Sequence, residues 1–514
     1  MANFSKDNLF ILIKSLSRSE KRQFKLYANR LDVNVNAKFL LLFNLLDKMN
    51  DYNEELILES KIVTKLQLSN LKAHLYKQIL VSLRMNPVNQ NIRILIREQL
   101  DFATILYHKG LYKQSLKILE KAKVMALENE EKNIAYEIVE LEKIIESQYI
   151  TRSIVGRADA LTSQAKKLSK ENVIASKLSN LSLQLYSIML KSGYAKSDAE
   201  MQDITTYFNK ELPNYKISDL GFREKLWLYK AHLWYSFLIQ DFLSCYKYAK
   251  KWVDLFYDNP KMIFLNPVWY IKGVNYLLEC LYLIKHKTLF KETLEKLENT
   301  INLDDFPKND NVNILTFLCI YNSKLNLHFL EGSFDQGIYL VEELLKKLKI
   351  DEDKIDEHHV MVFYYKIACL YFGVGDNIKC ITYLQKIIDN RNLTMREDLM
   401  CFARVLSLVA HYEASLDYKL EIQLKSTYKF LIKMNDLHEV QREMIKFLRN
   451  LGNIYPHQLK SEFKKLHSRL KQYEEHPYEK RAFLYLDIIS WLESKIDNKP
   501  IMTVIKEKAA TTIR

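Results

Sequence analysis

The sequence predicts an all-α protein, and three observations carry that expectation. Glycine and proline number only ten and eight in 514 residues, whereas ordinary usage is about 7% and 5%. Folds built on phosphate loops, tight hairpins or bulges need glycine, because only glycine enters positive φ without steric cost; helices need neither residue. A composition of 48% hydrophobic and 27% charged residues is that of a folded chain. The third observation is a helix–turn–helix block that recurs along the sequence at roughly constant spacing.

The first 85 residues read as separate helices. Ser17-Arg-Ser-Glu20 is a capping box ahead of Lys21 to Ala28, and Ala37 to Met49, Glu54 to Leu66 and Ser69 to Met85 follow. Residues 1–88 are therefore expected to form an N-terminal helical cap. The repeats occupy 89–451, a C-terminal helical cap 452–498, and a flexible tail 499–514. Breaks fall at Asn86-Pro87, Leu212-Pro213-Asn214, Asn259-Pro260, Asp304 to Asn311, Asp351 to Glu357, Asp389 to Asn392 and Gly452 to Pro456, where proline lacks a donor and Asn or Asp competes for the backbone.

The block is clearest at Gly110-Leu-Tyr112-Lys-Gln-Ser115, with Leu119 and Ala122 at helical spacing behind it and Ala103 on the preceding helix. It recurs at Gly332-Ser-Phe334 with Gly337 and Val341, and at Gly375-Asp-Asn377 with Cys380 and Leu384. Without glycine it recurs at Phe242 with Cys245 and Ala249, and at Phe290 with Thr293 and Leu297. Anchors at 112, 242, 290, 334 and 377 leave room for two degenerate repeats between 131 and 221, whereas Tyr418 fails because Glu421 and Lys425 fall on the small and apolar positions. The unit resembles a tetratricopeptide repeat with a longer period. That resemblance implies a right-handed α-solenoid of helix pairs with helical caps at both ends. Ser17 to Arg30 and Tyr478 to Lys495 are similar to the ends of uncharacterised cytoplasmic proteins from Bacteroidota, which implies no known activity.

The apolar run Phe10 to Ile13 is bracketed by Lys6, Asp7 and Lys14, too short and too charged for a signal peptide. Met262 to Ile284 contains Asn266, Pro267, Lys272, Asn275 and Glu279, so it is no membrane span. A cytoplasmic location follows as the expectation. Cys245, Cys280, Cys319, Cys369, Cys380 and Cys401 sit in apolar helical runs without CxxC spacing and read as small buried hydrophobes. The net charge of +13 is concentrated at the two ends, while residues 301–400 are acidic.

No phosphate loop, nucleophile elbow, HExxH or calcium loop occurs in the sequence, and the expectation is a protein without catalytic residues, cofactor or metal. His358-His359 after Asp356-Glu357 reads as a helix start, because adjacent helical residues diverge by about 100° and rarely chelate together. The aromatic and basic stretch Phe222 to Trp252 could stack single-stranded RNA, but rings at helical spacing more often pack between helices. In tetratricopeptide arrays the first helix of each pair lines the groove. Transfer of that register names Arg97, Thr104, Tyr107, His108, Trp227, Lys230, Trp234, Asn275, Tyr282, Asn322, Asn326 and Tyr365, with the Asn322 and Asn326 amides placed to bond an extended peptide. The expected function is an interaction scaffold binding a peptide or partner protein; the alternative is an RNA- or ribosome-associated factor using the basic ends. The sequence sets no oligomeric state.

Overall fold

The computed structural model describes residues 7–30, 33–86, 91–148, 156–390, 397–433, 439–450, 454–479, 483 and 487–511. Among them every regular element is a helix and there is no strand. In chain order the first half is α1 (Asn8–Ser15), α2 (Arg18–Ala28), α3 (Val33–Lys48), α4 (Glu54–Glu59), α5 (Lys65–Met85), α6 (Ile92–His108), α7 (Tyr112–Glu128), α8 (Lys132–Gln148), α9 (Arg157–Ser192), α10 (Asp198–Glu211), α11 (Phe222–Leu238) and α12 (Phe242–Tyr257). The second half is α13 (Lys261–Leu265), α14 (Pro267–Leu283), α15 (Lys287–Ile301), α16 (Asp310–Glu331), α17 (Phe334–Ile350), α18 (Glu357–Val374), α19 (Asn377–Ile388), α20 (Glu397–Glu413), α21 (Asp417–Lys433), α22 (Glu439–Asn450), α23 (Leu459–Lys471), α24 (Ile488–Asp497) and α25 (Ile501–Thr511).

The chain divides into two compact units, Met1–Leu168 and Ser169–Arg514. The first holds two apolar clusters. Leu9, Ile13, Phe24, Phe39, Phe43, Leu46 and Ile79 close one, and Ile96, Ala103, Leu119, Ala122, Ile138 and Leu168 close the other. The capping box at Ser17 is present, with Glu20 N–H donating to Ser17 Oγ and Ser17 N–H to Glu20 Oε2. The second unit is built around one large cluster running from Leu181 to Leu492.

One backbone turn organises the helix pairs. Gly110, Glu130, Gln240, Lys285, Gly332, Gly375 and Ser415 all have φ between 55° and 85°. In each, the next residue's N–H donates back to a carbonyl five positions earlier at 2.8–3.0 Å: Leu111 to Leu106, Glu131 to Ala126, Asp241 to Ser236, His286 to Leu281, Ser333 to His328, Asp376 to Tyr371, Leu416 to His411. Such a left-handed cap satisfies the last carbonyls of one helix and starts the next within two residues. Three residues before the turn, in every pair but that at Glu130, stand Tyr107, Phe237, Tyr282, Phe329, Phe372 and Tyr412. Seven before stand Ala103, Leu233, Leu278, Leu325, Ala368 and Leu408, all essentially inaccessible.

Second helices follow the same register. Five, nine and twelve residues after the turn come Ser115, Leu119 and Ala122; Cys245, Ala249 and Trp252; Phe290, Leu294 and Leu297; Gly337, Val341 and Leu344; Cys380, Leu384 and Ile387, all buried. Ser115 Oγ donates to the Ala103 carbonyl at 2.8 Å across the α6–α7 crossing. A Cβ on Gly337 would lie 2.7 Å from Leu370 Cδ2, and one on Gly373 would lie 2.5 Å from the Phe334 ring. The Trp252 indole likewise lies over Gly273, 2.8 Å from where a Cβ would stand.

Four sequence expectations are corrected. Phe290 does not open its helix but fills the position held elsewhere by Ser115, Cys245, Gly337 and Cys380, because the turn lies at Lys285. The pair around Tyr418 exists: its turn is at Ser415, so Leu424 and Thr427 are the buried positions and Lys425 points outward. Between 131 and 221 there are not two short repeats but α8, α10 and the 36-residue helix α9. Within the 499–514 segment expected as a tail, Ile501–Thr511 is helical, because Ile501, Met502, Val504 and Ile505 give it an apolar face that packs on the core. Of the expected breaks, Pro87, residues 391–392 and Gly452 lie outside the described residues.

Overpacking the crossings should be costly. Ser115→Phe, Ala122→Phe and Gly373→Ala should each lower stability by about 1–3 kcal/mol, while Lys113→Ala, on the exposed face of α7, should change it by less than about 0.5 kcal/mol. Urea midpoints check this, and equal effects for both groups would mean the register is wrong.

Candidate functional site on the first helices

In the second unit the helices that precede each turn touch one another directly. Trp227 of α11 meets Trp269 of α14 edge-on at 5.1 Å, and Trp234 meets Tyr276 at 5.4 Å. Helix α14 packs on α16, and α16 on α18 through Phe317 and Phe363, with ring centroids 6.1 Å apart. Helix α18 in turn packs on α20. A ladder of first helices results in this unit, and the sequence-selected residues on it share their spacing from the turn with those on α6 of the first unit. Arg97 and Trp227 lie thirteen residues before their turns; Lys230, Asn275, Asn322 and Tyr365 lie ten before; Thr104, Trp234 and Asn326 lie six before.

Burial separates these residues. Arg97 and His108 are exposed, and Thr104, Tyr107, Trp227, Lys230, Asn275, Tyr282 and Asn322 are partly exposed. Trp234, Asn326 and Tyr365 are not open to a partner: they are 7%, 5% and 3% exposed, because the neighbouring first helix lies against them. The Trp234 ring is enclosed by Tyr186, Phe237 and Tyr276. The expectation that the Asn322 and Asn326 amides bond a peptide is also corrected, since both Oδ1 atoms accept from the Lys366 ammonium of α18. Tyr107 and Tyr282 belong to the aromatic position before the turn, where Tyr107 also donates its hydroxyl to Gln148 Oε1 at 3.0 Å.

What the ladder offers to solvent is cationic. The Lys230 ammonium lies 4.8 Å from the Trp227 ring centroid and 4.9 Å from that of Trp269, and Lys272 lies 5.7 Å from the Trp269 centroid. Burial, reinforced by the neighbouring Lys272 charge, pushes the Lys230 pKa down to about 8. Neither lysine has an ion pair among the described residues, and the Asn275 amide, one turn beyond Lys272, has no hydrogen-bond partner among them. Farther along, burial pushes the Lys366 pKa down to about 8, against the opposing pull of Glu279 and Cys369. Trp269, Lys272 and Lys366 escaped the sequence reading. Lys272 stands thirteen residues before Lys285, as Trp227 does before Gln240, so the signal was present and was hidden by anchoring that repeat on Phe290.

The remaining candidates resolve into structure. Asp356 caps α18, its carboxylate accepting from His359 N–H at 3.1 Å and facing His359 Nδ1. The rings of the 222–252 stretch are already covered: Lys251 lies over Tyr229 and Tyr248, Lys247 over Tyr248, and Trp252 is inaccessible. All six cysteines are free thiols and, Cys369 excepted, buried; burial raises the Cys319 and Cys369 thiols to about 12. Among the described residues no helix is long and apolar enough to cross a membrane. No family model, curated protein or solved structure matches the chain.

The depressed lysines set a pH dependence. A lysine free in the unfolded chain titrates near 10.4, so between about pH 8 and 10 the unfolded state binds more protons than the folded one and stability rises with pH. Below about pH 8 both states hold the proton and the folded chain carries the full cost. From pH 7.5 to 9.5 each of these lysines should therefore contribute a gain on the order of 1–2 kcal/mol, opposed over the same range by the raised Cys319 and Cys369 thiols, whose unfolded forms lose protons first. In urea titrations at the two pH values, the change in stability of Lys366→Met should be less favourable than that of wild type by on the order of 1–2 kcal/mol, the thiol contribution being common to both.

Proposed function

We propose that the chain is a non-enzymatic interaction scaffold: a right-handed, tetratricopeptide-like α-solenoid whose first helices line a groove for a peptide segment or partner protein. The observation that carries this reading is the ladder itself. Trp227, Lys230, Trp269, Lys272 and Asn275 form a partly exposed strip on adjacent first helices, with two lysines lacking ion pairs and an amide lacking a partner among the described residues. Groups left unsatisfied at partial burial cost stability unless a ligand completes them. An incoming segment with carboxylates or backbone carbonyls supplies what both need. The rigidity of the strip limits the ordering cost to the ligand's side of the interface. In this reading the protein works in the cytoplasm and takes no cofactor.

A second reading has its own observation. Arg18, Lys21, Arg22 and Lys25 share one face of α2 around a recess that also includes Leu26 and Asn29, the arrangement an RNA- or ribosome-associated factor would use for phosphates. Lys21 is already paired with Asp47 at 2.7 Å, and Lys25 lies over the Phe43 ring. Two of the four cations therefore serve the first unit's own packing.

Capture from native lysate by wild type, Lys272→Glu/Asn275→Ala and Arg18→Glu/Arg22→Glu separates the readings. The groove variant should lose at least about tenfold in affinity for the captured partner, or roughly 1.4 kcal/mol, with the α2 variant near wild type and nuclease without effect. Loss on nuclease treatment, together with dependence on Arg18 and Arg22 and a steep fall between about 50 and 200 mM salt, would instead establish the RNA reading.

A further inference from the structure

The C-terminal helix α25 packs back on α16 and α18 as well as on its neighbour α24. It comes against Gly332, the left-handed residue that ends α16: a Cβ there would lie 3.0 Å from the backbone nitrogen of Lys506 and 3.2 Å from Ile505 Cγ2. The turn alone does not demand glycine at this place. Glu130, Gln240, Lys285 and Ser415 make the same turn with φ of 60°, 59°, 55° and 56°, and a Cβ added to the glycines at 110 and 375 would meet nothing within 4 Å. Gly332 is the turn glycine whose missing side chain leaves room for another helix.

The docked helix is held lightly. Of its apolar residues only Val504 is buried, with Ile501, Met502 and Ile505 half-covered. Its ion pairs are partly exposed, Lys506 to Asp335 at 3.7 Å, Lys508 to Glu493 at 2.7 Å and Lys499 to Glu507 at 2.9 Å, while Lys508 also donates to the buried Ser490 Oγ at 2.8 Å. Exposed pairs of this kind contribute little, and segments with few buried contacts open locally without global unfolding. The seat has a defined complement: apolar residues at i, i+3 and i+4, as Ile501, Val504 and Ile505 supply, with lysines opposite Asp335 and Glu493.

We propose that the surface around Gly332 on α16, α18 and α24 is an exchangeable docking site for a short basic amphipathic helix of a partner protein, occupied by the chain's own α25 until that helix is displaced. The site is independent of the groove reading, since it rests on contacts of α25 alone. Charge complementarity selects the partner: Asp335 and Glu493 favour lysine or arginine on the helix that replaces α25.

The probe is a fluorescent synthetic peptide of residues 499–511, followed by anisotropy against full-length chains. Val504→Asp/Ile505→Asp, which makes α25 unable to dock, should bind the peptide at least tenfold more tightly than wild type does. Adding Gly332→Asn, which tolerates the left-handed turn as Asn498 does at φ 54° but fills the seat, should abolish that binding. Equal binding to wild type and the released variant, or binding that survives Gly332→Asn, overturns the proposal. Hydrogen exchange needs no core variant: amides of 501–511 should exchange by local opening at least tenfold faster than those of α16, and faster still in Gly332→Asn. Exchange of 501–511 only with global unfolding overturns it as well. A wild-type dimer that dissociates on Gly332→Asn would assign the seat to a second copy's α25 and overturn the separate partner.

Discussion

The repeated left-handed residue between paired helices is the constraint on which the rest of the second unit depends. A residue at positive φ reverses the chain within two positions and fixes the rotation of the following helix relative to the one before it. Once that rotation is set, the same positions of each pair are buried against the crossing, as where Ser115, five after its turn, bonds the carbonyl of Ala103, seven before it. The aromatic residue three before then closes the end of the pair. Glu130, Gln240, Lys285 and Ser415 take this conformation without being glycine, at a cost of roughly 1–2 kcal/mol each. The two backbone bonds that every turn makes to the preceding helix offset it. That is how a chain with ten glycines builds so many identical reversals.

Fixed register brings small residues opposite large ones. Trp252 lies on Gly273, Phe334 on Gly373 and Leu370 on Gly337, so the ring or branched side chain of one helix occupies the volume that the next leaves empty. The first helices follow the same rule with different chemistry. Tyr276 and Lys366 occupy equivalent places, nine residues before their turns: Tyr276 packs against Trp234 with an apolar ring, whereas Lys366 meets Asn322 and Asn326 with an ammonium. Equivalent places on the ladder thus carry an aromatic contact on α14 and a polar one on α18. The first unit buries charge in a different form. Lys123 and Arg157 both bond the inaccessible Glu142 carboxylate, a pairing that compensates desolvation.

Much of this was legible in the sequence, and the misses have physical causes. Scarce glycine and helical spacing indicated an all-helical chain. The glycine-marked blocks at 110, 332 and 375 indicated the right buried positions, because glycine shows where φ is positive. Where Gln240, Lys285 or Ser415 makes the turn, no residue type marks it. The Gln240 pair was recovered through Phe242, the Lys285 pair was read three residues late, and the Ser415 pair was missed by one. Candidate residues lie on the first helices of the pairs, but burial depends on the neighbouring helix, which one helix's pattern does not show. For that reason Trp234, Asn326 and Tyr365 read as surface and are interior. Helix α25 escaped because its apolar face is short and its partner surface lies far away in sequence.

The partly exposed strip also shows why the aromatic content of α11 and α14 should be read as charge rather than as stacking area. A bare indole face is a platform for a base or a ring, but here the faces of Trp227 and Trp269 are already taken by Lys230 and Lys272. The rings hold the ammonium groups in place while partly stripping them of water, and cation–π attraction offsets only part of that loss. Desolvation is what depresses Lys230. An anion arriving beside it would restore the charged form, so association and proton uptake are coupled: the ligand gains from a cation that water solvates poorly, and the lysine regains affinity for its proton. A neutral or basic segment gains nothing from this arrangement and meets two uncompensated positive charges. In the proposed reading the discrimination on this face is therefore electrostatic, and the packing of the first helices is what makes it so.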